Sequence, residues 1–93
     1  MEAAAVIKRI DEFLVILSSP VSEELLADGW SEQRAADIRT RLSEFRDEVM
    51  DLGALPERSR RPLNMMRFLD ACGVHRGEVL NQLTDFENEL RRA

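Results

Sequence analysis

The stretch Ser31–Gly53, SEQRAADIRTRLSEFRDEVMDLG, decides the fold. Within it Ile38, Leu42, Phe45, Val49 and Leu52 recur at steps of four, three, four and three. At about 3.6 residues per turn, this spacing gathers them into one narrow stripe. The positions between them are mostly charged: Arg39, Arg41, Glu44, Arg46, Asp47, Glu48 and Asp51. So narrow an apolar seam does not hold a lone helix together in water, so it must pack against others. Ser31 has the side chain of an N-terminal cap, and Gly53 suits the left-handed residue beyond the last turn. Pro56 prevents continuation.

The same spacing returns on both sides. A first helix is expected from Glu2 to Ser18, with Val6, Ile10, Phe13 and Leu17 in line and Ile7 and Leu14 widening the stripe. A last helix is expected from between Val74 and Glu78 to about Arg91, with Val79, Leu83, Phe86 and Leu90 in line. Two shorter helices fill the gaps. Ser19 and Pro20 are read as cap and first turn of one, which ends near Asp28 before Gly29. Pro62 is read as opening the other, which carries Leu63, Met65, Met66, Phe68 and Leu69 and runs to Cys72 before Gly73. The expected fold is all-α: one domain, residues 1–93, built as a small antiparallel bundle of four to five helices.

Composition agrees. Glycine and proline are scarce, tyrosine is absent, and charged residues make up 33% of the 93 residues, more than is usual. Twelve of thirteen basic residues are arginine, a usage that fits a bacterial source. The single cysteine, Cys72, excludes an intrachain disulfide and fits a reducing cytoplasm. The longest apolar run, Phe13–Leu17, is far too short to cross a membrane. The N-terminus lacks the basic-then-apolar pattern of a secretion signal, so the expected location is cytoplasmic.

No phosphate loop, dinucleotide fingerprint, zinc ligand set or nucleophile elbow occurs. Cys72 and His75 are the only residues of their kinds, too few for a zinc site. Glu44, Glu48, Asp51 and Asp37 flank the long helix as a solvated acidic strip. The reading is therefore not an enzyme and needs no cofactor or metal. It is a protein–protein interaction module, a regulator, adaptor or inhibitor that presents helical surface.

Its contact residues are expected where apolar side chains exceed what the seams need. Val15 and Ile16 lie off the stripe of the first helix. Trp30 stands before the long helix as packing lid or contact anchor. Met65 and Met66 offer adaptable surface or core filler. The excess apolar face predicts a homodimer. The net charge is −5, yet residues 57–76 carry five arginines against two acids. Arg58, Arg60, Arg61 and Arg67 are the expected anionic contacts, their forked donors suiting carboxylate or phosphate.

Phe68–Val79, FLDACGVHRGEV, also resembles the helix-turn-helix motif of transcription regulators. Gly73, Val74 and Val79 occupy the turn glycine and the two apolar positions after it, with Phe68 and Cys72 before. The resemblance, over residues 65–82, implies a DNA-binding alternative in which His75, Arg76, Glu78 and Asn81 would face the major groove. Gly77, Leu69 and Gln82 depart from the pattern.

Overall fold

The computed structural model describes residues 2–93 and is all-α. Among these residues five α-helices follow one another: α1 (Ala3–Ile16), α2 (Glu23–Ala27), α3 (Glu32–Leu52), α4 (Met65–Ala71) and α5 (Glu78–Arg92), with a 3₁₀ turn at Arg58–Arg60. The molecule measures 36 × 22 × 18 Å. No helix among the described residues is long and apolar enough to cross a membrane.

α1 and α3 run antiparallel. Arg39, early in α3, donates to the Leu17 carbonyl at the end of α1 (2.5 Å), and Arg46, later in α3, reaches back to Asp11. α5 closes the third side, where Phe13 and Phe86 meet with ring centroids 5.6 Å apart. The seams meet in one core: Val6, Ile10, Phe13 and Leu17; Ile38, Leu42, Phe45 and Val49; Leu83, Phe86 and Leu90. α2 contributes Leu25, and α4 contributes Met65 and Leu69.

The expected stripe of α3 is displaced by one step. Ala35 is buried at its start, while Leu52 is 56% exposed. The chain turns away immediately afterwards at Gly53 (φ 64°), whose N–H bonds to the Val49 carbonyl (2.9 Å), so no neighbouring helix covers Leu52.

Two helix starts also move. α2 is capped by Ser22, which accepts from the Leu25 N–H, and not by Ser19. The Ser19 hydroxyl and the Val21 N–H instead both donate to Glu32, which ties this linker to the start of α3. α4 begins at Met65, three residues after Pro62, because its first N–H groups find their acceptor on α5. Glu87 accepts from Met65 N–H (2.9 Å) and Met66 N–H (3.3 Å).

Charged side chains close other helix ends from a distance. The last carbonyls of a helix have no partner within it and carry the negative end of its dipole. Arg39 serves α1, Arg76 donates to the Ala27 carbonyl of α2, and Arg61 donates to Leu90 and Ala93 at the end of α5. The turns after α2 and after α4 touch so closely that a Cβ on Gly29 would sit 2.6 Å from the Gly73 carbonyl oxygen.

Candidate interaction surface

Burial divides the expected contact residues. Trp30 is only 3% exposed and Met65 fully buried, so neither offers surface to a partner; both are corrected to core residues. Trp30 belongs to the core cluster, just ahead of the Ser31 cap of α3. Met65 fills the core because Glu87 pins its backbone against α5. Met66 is half-buried, its sulfur taking the Thr84 hydroxyl (2.8 Å).

Val15 and Ile16 remain on the surface, on two different sides of α1. Val15 is 74% exposed and points directly away from the core. It borders a shallow depression of about 420 Å³ together with Ala4, Ile7, Lys8, Asp11 and Glu12. Ile16 borders a separate groove of about 300 Å³ toward α2 and α5, beside Leu25, Val79 and Gln82. A single change of one residue along a helix turns the side chain by about 100°, enough to separate the two.

The Val15 side has a margin that the sequence reading missed. Arg46 of α3 holds Asp11 through Nε (2.6 Å) and also reaches the Met50 sulfur (2.9 Å). One guanidinium thereby links Asp11, which borders the α1 depression, to exposed Met50 on α3. The hydrogen bond that Arg46 donates to Asp11 raises the Arg46 pKa above its ordinary value, so the guanidinium keeps its charge. The usable signal was the position of Met50, one turn beyond Arg46 on the same flank of α3.

The arginine group divides as well. Arg61 is corrected from anionic contact to structural clamp, since its guanidinium is filled by three carbonyls of its own chain: Pro56, Leu90 and Ala93. Arg60 pairs with Glu48 (2.6 Å) above a polar hollow of about 250 Å³ between α3 and the 3₁₀ turn. Arg58 and Arg67 are exposed and form no ion pair among the described residues. Arg41 lies over the Phe68 ring at 4.5 Å, and Arg34 over the same ring at 5.8 Å.

In the region resembling helix-turn-helix, six residues separate α4 from α5, where that motif has a turn of about three or four. Arg76 is engaged by α2, through the Ala27 carbonyl and Asp28, and His75 Nδ1 lies 2.8 Å from Asp70. Among the described residues no group of three or more His, Cys, Asp or Glu side chains is arranged to hold a metal ion. Compared with family models, curated proteins and solved structures, the chain shows no match.

Proposed function

We propose that this chain is a protein–protein interaction module, a small regulator, adaptor or inhibitor that acts through the outer face of α1 and performs no catalysis. One observation carries the reading. α1 buries one complete seam, and its opposite face still presents Val15, Ala4 and part of Ile7 around a depression that Lys8, Asp11 and Glu12 complete. Apolar surface gathered in one place, with a polar margin, favours contact with another macromolecule. Arg58 and Arg67 supply steering charge at a distance from that face.

The test compares binding by the parent, by Val15→Glu and by a control on another face, Glu89→Lys. A protein partner bound by the parent should lose at least about tenfold in affinity with Val15→Glu and little with the control. A full set of binding partners unaffected by Val15→Glu rejects this face as the working surface.

A further inference from the structure

We propose that the outer face of α1 receives a second copy of the same chain, docked antiparallel across a two-fold axis lying between Lys8 and Asp11. The proposal rests on the reading of the chain as an interaction module and names the partner.

Ala4, Lys8, Asp11 and Val15 are separated by four, three and four residues, the spacing of the inner seam Val6, Ile10, Phe13 and Leu17. α1 therefore carries two seams, and only the inner one is covered. With Ile7 and Glu12, the outer seam bounds the depression of about 420 Å³. Its six residues form two adjoining diamonds: Ala4, Ile7, Lys8 and Asp11, then Lys8, Asp11, Glu12 and Val15. Four side chains so arranged make the hole that accepts one side chain of a facing helix.

Charge selects the occupant. Lys8 is the only lysine of the chain, is exposed, and makes no ion pair among the described residues. Glu12 is likewise exposed and unpaired among them. Asp11 is held by Arg46 on one side, and its carboxylate remains half exposed on the other. An antiparallel copy sets each Lys8 over the Asp11 and Glu12 of its partner. It also sets each Val15 over a partner Ala4, the small residue opposite the larger one. A parallel copy would set Lys8 against Lys8. The strip is thus complementary to itself under a two-fold axis, the requirement for an isologous dimer.

Area limits the strength. The 14 residues of α1 extend over about 21 Å. One helix face of that length falls short of the roughly 800 Å² per partner usual for stable complexes. The dimer is accordingly weak, with a dissociation constant on the order of 10–100 μM.

Sedimentation equilibrium of the full chain, from about 1 μM to about 1 mM, reads this directly. The average mass should climb from 10.7 kDa toward twice that value. Lys8→Glu should weaken association at least about tenfold, and Glu12→Lys should also weaken it. An equimolar mixture of the two variants should associate again, because each then offers the other the opposite charge. Both positions are exposed, and circular dichroism verifies that each variant stays folded. A parent that remains monomeric, association indifferent to Lys8→Glu, or a mixture that fails to associate overturns the proposal. If it fails while another protein still binds in a Val15-dependent way, the interaction-module reading stands; if that binding is also missing, both fall.

Discussion

Val6, Ile10, Phe13 and Leu17 on the inner side of α1 and Ala4, Lys8, Asp11 and Val15 on its outer side follow the same rhythm along one helix. The inner four are buried, whereas Val15 is among the most exposed apolar residues of the chain. Spacing determines which side chains share a face. Composition determines whether that face can enter a core without help. Four apolar side chains lose water at a gain, but a lysine and an aspartate at the centre of a strip need partners of opposite sign first. The inner seam is thus satisfied within one molecule, and the outer strip stays in water unless a surface answers its charges.

The largest expected effect separates the two strips by stability. Phe13→Ala opens a cavity opposite Phe86 and should destabilise the chain by about 3–5 kcal/mol, a large part of what a domain this size possesses. Val15→Ala, two positions along, should change stability by less than about 0.5 kcal/mol. Urea unfolding at a concentration where the chain is monomeric measures both. Equal losses would mean that the outer strip is also interior, and the distinction between them would collapse.

Most of the architecture was legible because helix seams and caps are local signals. The apolar spacing located three long helices, and Ser31 and Gly53 bounded the longest of them as expected. Errors arose where a distant group outweighed a local preference. Ser19 and Pro20 look like a helix start, but Glu32 draws Ser19 and Val21 to itself, leaving Ser22 as the cap. Pro62 suits a first turn, but α4 waits for Met65, where Glu87 meets its N–H groups. Trp30 and Met65 were ambiguous for the same reason: burial depends on what arrives from elsewhere in the chain. At the surface, Val15 was identified by its angle alone, whereas Met50 and the pairing of Arg46 with Asp11 required the register between α1 and α3.

Glu87 sharpens the comparison, since it is a charge on an inward-facing strip. It sits between Phe86 and Leu90 in the sequence and is only 3% exposed. Glu87 and Arg91 stand one turn apart on α5. What carries the carboxylate inside is a complete set of partners: the N–H groups of Met65 and Met66, and Arg91 at 3.2 Å. Glu87→Ala leaves those N–H groups without an acceptor and should cost about 2–3 kcal/mol. Glu87→Gln preserves an acceptor oxygen for them and should cost about 1 kcal/mol. The same unfolding experiment ranks the two. If they are equal, the carboxylate contributes through its charge alone and the capping of α4 is incidental.

The smallest effect distinguishes two arginines of the basic segment that composition treats alike. Arg61 uses Nε for the Pro56 carbonyl and one Nη for the carbonyls of Leu90 and Ala93, which joins the connection after α3 to the end of α5. Arg58, three residues earlier, is exposed. Arg61→Ala should lower stability by about 1–2 kcal/mol, a charged hydrogen-bond donor lost at a helix terminus, while Arg58→Ala should remain within about 0.5 kcal/mol. Arg61→Lys should recover less than half of the loss, because an ammonium is a point charge and cannot spread donors over three carbonyls as a planar guanidinium does. The pair also separates structure from contact. If Arg58→Ala reduces partner binding while leaving the unfolding midpoint in place, and Arg61→Ala does the reverse, the basic segment is divided by geometry between a clamp and a free charge. A shared effect on binding would return Arg61 to the surface role that its sequence position suggested.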